Sequence, residues 1–279
     1  MAKQLTQLVA FLAALASLAA LSACPPSQGQ VKIDPDASEK RFLLGADYFN
    51  KGLTGPALEE LLKAVELNPQ NPDAHNLLGL LFLRKAAESE ELSTRNQCLK
   101  GEALKLEREE TDRQFSKADE EFKKALENRA NFSEAFNNRS VVALHFGRTQ
   151  EAIDFAEKAL TNIVYHDPWA AQGNLGQAYL AKRDLVRAAK ALRQALFEQP
   201  KFCVGRFRLA KVYYEQKEFD KAAEEVKQVV EDKACPIQEA FHLAGLVALR
   251  QQDRTRAEEL FSKCVALAPK SCVAQECRQ

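Results

Sequence analysis

The sequence predicts an all-α protein, a superhelix of about six helix–turn–helix repeats behind an N-terminal targeting segment. Three observations carry this. Small residues recur at spacings of 12, 7 and 5 that end on a proline: Gly45, Ala57, Ala64, Pro69, then Gly176, Ala188, Ala195, Pro200, then Gly245, Ala257, Cys264, Pro269. Only 11 Gly and 10 Pro occur in 279 residues, too few for a turn-rich all-β fold or for phosphate-cradling loops. Hydrophobic residues make up 46% and charged residues 28%, which suits a folded chain rather than a disordered one. Lys+Arg and Asp+Glu are equal at 39 each. A net charge of zero lacks the basic stripe that nucleic-acid binding requires, and it leaves no charge-driven hold on anionic lipid.

The first element is for targeting. Lys3 precedes an uncharged run, Leu8 to Ala23, that is sixteen residues long. It is too short for the ~20 residues of a membrane-spanning helix. The run ends in Leu21-Ser22-Ala23-Cys24, which resembles the lipobox of bacterial lipoproteins. The resemblance implies that residues 1–23 are a signal peptide and that Cys24 becomes an acylated mature N-terminus. Pro25, in place of Asp, implies sorting to the outer membrane, facing the periplasm. The alternative is an ordinary secretory peptide with a coincidental cysteine. Several acyl chains at ~0.8 kcal/mol per buried CH₂ give a stable anchor, where one chain alone is marginal. Residues 24–37, with prolines at 25, 26 and 35, read as an extended tether of at most ~3.3 Å per residue.

The rest of the chain reads as one array. Ser140, Ala152, Ala159, Val164 and Ala210, Ala222, Val229, Ala234 are weaker copies of the spacing pattern. Gly79, Ala118, Ala125, Ala130 keeps the 7 and 5, but its first spacing of 39 implies an insertion of 27. Small residues at these points let two antiparallel helices approach closely, and a closing Pro stops the second helix. This pattern resembles the tetratricopeptide repeat, whose period is ~34 residues. Tyr48, Phe82, Tyr179 and Tyr213 fall where that repeat has an aromatic. The repeats are expected at about 38–71, 72–132, 133–168, 169–202, 203–237 and 238–271, with 272–279 as a short capping helix over an otherwise exposed end. The insertion, roughly 84–117, carries 8 basic and 8 acidic residues. It is expected to lengthen both helices of its hairpin and to project into solvent; a dedicated partner contact is the alternative.

In such a superhelix the first helix of each repeat lines a concave groove. Counting along those helices assigns Phe42 and Phe49 to the wall in repeat one, and Asn76, Leu80 and Leu83 in repeat two. Asn137, Val141 and Leu144 follow, then Gln177, then Phe207, Lys211 and Tyr214, then His242 and Leu246. Apolar groups with interspersed amides suit an extended or helical protein segment, the amides being free to pair with its backbone. Some of these residues could instead pack under the superhelix. Asn138, Asn174 and Arg208 match part of the Lys–Asn clamp by which some repeats of this kind hold a terminal carboxylate, but Asn137 stands where the leading Lys belongs, which argues against that ligand. His166-Asp167 reads as a loop, and neither an HExxH nor a nucleophile-elbow pattern occurs. With four scattered His (His75, His145, His166, His242) and no CxxC, no metal or cofactor site is expected, nor catalysis on a small-molecule substrate.

Besides Cys24 there are six cysteines, at 98, 203, 235, 264, 272 and 277, an even number that an oxidising periplasm allows to pair. A lipobox followed by six repeats resembles the outer-membrane pilotin lipoproteins of type IV pili, the Tgl/PilF/PilW group. The residues that carry the resemblance are Phe132 to Asn138 (FSEAFNN), Asn174-Leu175-Gly176 and Lys201-Phe202-Cys203, and Cys235 fits that group's second cysteine. The resemblance implies a non-enzymatic scaffold that binds a secretin subunit and promotes secretin localisation and multimer assembly, and so pilus-dependent motility. The alternative is a lipid-anchored adaptor that scaffolds peptidoglycan hydrolases or other envelope complexes. A disulfide between Cys203 and Cys235 is expected because both lie at one edge of the stack, closing a loop of about 33 residues. Pairing of Cys235 with a C-terminal thiol is the alternative, as is a purely packing role for Cys264.

Overall fold

Asp34 starts the first helix. Its carboxylate accepts the Ala37 amide at 3.0 Å, and Pro35 sits where a missing N–H costs nothing. Helix α1 (Pro35–Asn50) therefore begins before the expected boundary at 38, and residues 35–37 belong to the array rather than to the tether. The computed structural model describes residues 33–279; Cys24 and the signal segment lie outside the described residues.

Twelve helices pair in order. α1 packs on α2 (Thr54–Leu67), and α3 (Pro72–Glu91) on α4 (Gly101–Asn128), with a wide i→i+5 turn at Leu92–Asn96 between the latter two. Next come α5 (Ser133–His145) with α6 (Thr149–Leu160) and α7 (Pro168–Ala181) with α8 (Leu185–Glu198). The last pairs are α9 (Cys203–Glu215) with α10 (Phe219–Glu231) and α11 (Gln238–Arg250) with α12 (Arg254–Leu267), and the short α13 (Cys272–Glu276) closes the chain. Among the described residues there is no strand, and no helix is long and apolar enough to cross a membrane.

The small residues do what their spacing requires. Ala57, Ala118, Ala152, Ala188 and Ala222 are fully inaccessible, each under the first helix of its own repeat. A Cβ on Gly176 would lie 2.5 Å from Leu192 Cγ, so only glycine allows α7 and α8 this approach. The turn inside each ordinary repeat ends on a left-handed residue seven places beyond the small one. Gly52 and Gly147 serve in the first and third repeats, but Arg183, Lys217 and Gln252 adopt φ of 61°, 62° and 65° in the last three.

The second repeat departs from this plan. α3 has 20 residues and α4 has 28, against 12 to 16 in the other pairs. At 1.5 Å per residue α4 is about 42 Å long. The insertion thus lengthens both helices, as the pattern implied, but its tip does not simply project into solvent. Cys98 is bonded to Cys272, with Cα atoms 4.6 Å apart. The Cys98 amide donates to Lys270 O at 3.0 Å, and Arg95 Nη2 donates to Pro236 O at 2.7 Å. Polarity predicts solvent only for an isolated hairpin; here the curvature of the stack brings the sixth repeat round to meet it. At the C-terminal end Ser271 caps α13 through the Ala274 amide at 2.9 Å. Cys264, buried under that cap, is bonded to Cys277 rather than serving only as a small core residue.

Candidate partner groove

The first helices α1, α3, α5, α7, α9 and α11 line the concave wall, and the structure sorts the residues assigned to it. Phe42, Phe49, Leu80, Leu83, Val141, Leu144, Gln177, Phe207, Tyr214 and Leu246 are all partly exposed. Most also rest on a core: Phe42 and Phe49 on the cluster of α2 and α3, Leu80, Leu83 and Val141 on that of α3 and α4, and Leu144, Phe207 and Tyr214 on the long C-terminal core. These side chains face the groove with one side and pack under it with the other.

Asn76 and Asn137 behave differently. They are only 8% and 9% exposed, and each spends an amide arm on the next repeat. Asn138 Nδ2 donates to Asn76 Oδ1 at 3.0 Å, and Asn174 Nδ2 donates to Asn137 Oδ1 at 2.9 Å. Arg208 Nη1 extends the series to Gly173 O at 3.3 Å. In every case the residue one position further along the next repeat's first helix is the donor. The reading of these amides as free to pair with a ligand backbone is corrected accordingly: a buried amide arm must be satisfied, and the neighbouring repeat satisfies it. The signal was present in the sequence as residue pairs one position out of phase with the repeat.

Arg208 stands out electrostatically. Among the described residues no carboxylate pairs with it, and burial lowers its guanidinium to about 10, well below the ordinary arginine range. Arg84, which the sequence reading passed over, seals the junction of the first two repeats. Its guanidinium lies 3.7 Å from the Phe49 ring centroid and donates to Phe49 O at 2.9 Å.

At the edge of the wall Cys203 and Cys235 are disulfide-bonded, with Cα atoms 6.0 Å apart. The Phe202 ring beside them is wedged against Gly173 and Gly205, where a Cβ on Gly173 would lie 2.5 Å from it, and Trp169 meets it edge-on at 5.0 Å. The histidines take structural positions. His75 is buried between Glu121 (2.6 Å) and Pro69 O (2.9 Å), and His145 pairs with Asp112 at 2.7 Å. His166 lies in the loop before α7, where the adjacent Asp167 accepts the Trp169 indole N–H at 3.0 Å. No group of three potential metal ligands is found among the described residues.

Comparison with known proteins agrees with this geometry. Tetratricopeptide-repeat family models match residues 45–85, 109–163, 179–236 and 238–271, together most of the array. No curated protein matches the sequence. Among solved structures the chain is similar to PilF of Pseudomonas aeruginosa, with a TM-score of 0.66 at 21% identity over 87% of this chain and 97% of that one. It is similar to the type IV pilus biogenesis factor PilW, with a TM-score of 0.65 at 20% identity over 87% and 98%. It also resembles the Cut9–Hcn1 assembly of the APC/C, with a TM-score of 0.70 at 14% identity, but spans 42% of that chain. At such identities the likeness is one of fold. The spacing of small residues, the paired helices and the four matches agree: the chain belongs to the tetratricopeptide-repeat family.

Proposed function

We propose that the chain is a non-enzymatic, lipid-anchored scaffold of the pilotin kind. It promotes outer-membrane localisation and multimer assembly of a type IV pilus secretin. Lipid on Cys24 holds it at the inner leaflet of the outer membrane, and the groove holds a secretin subunit until the ring closes. The observation that carries this reading is extent: the array is coextensive with PilF and PilW, covering 97% and 98% of those chains. The Leu21-Ser22-Ala23-Cys24 segment supplies the anchor. The partly exposed Leu80, Val141 and Leu144 supply apolar area for a protein segment.

The test is genetic. Deleting the gene removes secretin multimers from unboiled envelope samples and leaves monomer, while cell shape stays normal. Normal multimers with altered wall growth would instead point to an adaptor for peptidoglycan hydrolases and overturn the pilotin reading. Cys24→Ala is expected to give a folded protein absent from the outer-membrane fraction; persistence there would sink the lipid anchor.

A further inference from the structure

The turns inside the last three repeats gather positive charge. Arg183, Lys217 and Arg250, one from each repeat, line an open cleft of about 620 Å³ together with Glu215 and the rings of Tyr214 and Phe219. The two rings meet edge-to-face with centroids 5.6 Å apart, and Arg250 Nε donates to the Tyr214 hydroxyl at 3.4 Å. The lining is part aromatic and part cationic.

These cations are not spent on the protein itself. The other carboxylates of the same turns are already engaged: Asp184 pairs with Arg187, Glu218 pairs with Lys221, and Asp253 caps α12 through the Arg256 amide. Asp220 accepts from Gln251 at 2.9 Å. Glu215 reaches only Arg183, at 3.9 Å. Lys217 and Arg250 make no ion pair among the described residues. Backbone geometry adds a second sign. Arg183 and Lys217 hold φ of 61° and 62°, where Gly52 and Gly147 serve in other repeats. A long side chain carries a conformational cost there that glycine avoids. At both positions the residue that bears this cost is a cation lining the cleft.

We propose that this cleft takes the acidic side chains of a protein segment lying in the groove. The inference rests on the groove being the partner site named above, and it specifies the chemistry of what enters. Tyr214 belongs both to the concave wall and to the cleft, so a segment running along the wall passes the three cations at this point. Guanidinium forks match carboxylates, and the rings offer flat area to the apolar groups beside them. An anionic lipid headgroup shares the charge, but the cleft lies in the last three repeats, whereas the proposed anchor joins the first.

The test uses the full chain and a displayed library of random twelve-residue peptides. It needs neither a secretin nor cells, so its failure is distinct from failure of the pilotin reading. Gln252 holds the equivalent left-handed position in the sixth repeat at φ 65°, so glutamine is tolerated there, and Arg183→Gln, Lys217→Gln and Arg250→Gln are combined in one variant. Arg193→Gln, which removes an exposed cation of α8 outside the cleft, is the control. Peptides selected by the wild type are expected to be enriched about threefold or more in Asp and Glu beside apolar residues, and those selected by the triple variant are not. By fluorescence anisotropy, the most enriched peptide should bind the triple variant about fivefold or more weakly, and the control within about twofold of wild type. Absence of acidic enrichment overturns the proposal, as does equal affinity for wild type and triple variant, or an equal loss in the control. Unchanged peptide affinity together with lost binding to phosphatidylglycerol vesicles would assign the cleft to lipid instead. Should the triple variant lose its helical circular-dichroism signal, the three single variants decide by the same anisotropy measurement.

Discussion

From α5 to α12 apolar side chains form one long core, whereas the first two repeats and their junction with the third hold three smaller clusters. What the N-terminal part lacks in apolar continuity it makes up in buried polar contacts. Asn71 and Ser38 join α1 to α2 and α3 through Ala64 O, at 3.1 and 2.8 Å. His75 meets Glu121 at 2.6 Å, and Arg139 meets Asp119 at 2.8 Å. The same repeat plan is thus stabilised by area at one end and by directional pairs at the other. The difference teaches that helix spacing sets the architecture, while the means of cohesion varies along it. Area is indifferent to pH and tolerant of small shifts; buried pairs are neither.

The comparison breaks hardest in the C-terminal core. Leu192, fully buried beneath Gly176, should cost about 2–5 kcal/mol when changed to Ala, read by urea unfolding. If the two parts are distinct, that loss appears in α7–α12 by hydrogen exchange before it reaches α1–α4.

Arg208→Met works in the opposite sense. It removes a part-buried cation without a counter-charge and should stabilise the chain by about 1–3 kcal/mol. Because burial lowers the folded-state value to about 10, the penalty is present in full below pH 10 and fades as pH rises through it. The gap between variant and wild type should therefore narrow above pH 10. Partner capture should weaken even as stability rises, if the cation serves the groove.

Asp119→Asn probes the polar end and should cost about 1–3 kcal/mol by leaving Arg139 without its carboxylate. Burial raises the Asp119 carboxyl, but bonds from Arg139 and Lys123 outweigh it and hold it below its ordinary value. Its contribution is present above the unfolded-state value near 4 and is lost as pH falls through the lower folded value. The variant and wild type should then differ steadily from pH 5 to 8 and converge under acid, whereas the Leu192 effect persists there.

The smallest effect sharpens the contrast at the turns. Lys217 holds a left-handed φ of 62° where the first and third repeats use Gly52 and Gly147. Lys217→Gly should raise stability by about 0.5–1 kcal/mol in thermal unfolding, relief of strain slightly exceeding the added freedom of the unfolded chain.

The small-residue spacing was enough to read every helix pair, because each of those residues acts within its own repeat. Gly176 needs only Leu192, sixteen residues on, to explain it. Asp34 and Pro35 were equally local, and the early start of α1 was readable as a cap followed by proline. The amide series needed one more step, since Asn76 and Asn138 answer each other only once two repeats are laid side by side. The landing of Cys98 on Cys272 was beyond this kind of reading. It depends on the summed rotation of the repeats between them, a global quantity to which each interface adds a small share.

That summation gives the closing bond a second meaning. A repeat stack ordinarily has two free ends, and an error in one interface goes unnoticed by the others. Joining repeat two to the end of repeat six makes those repeats a ring, and a ring must close. Cysteine Cα atoms must come within about 4.4–6.8 Å to bond, and here they stand 4.6 Å apart. Any mispacked helix pair between them would swing Cys272 out of that window. Formation of the bond therefore gauges the pitch of the whole superhelix, and an oxidised Cys98 certifies that every repeat from the second to the sixth has stacked in register.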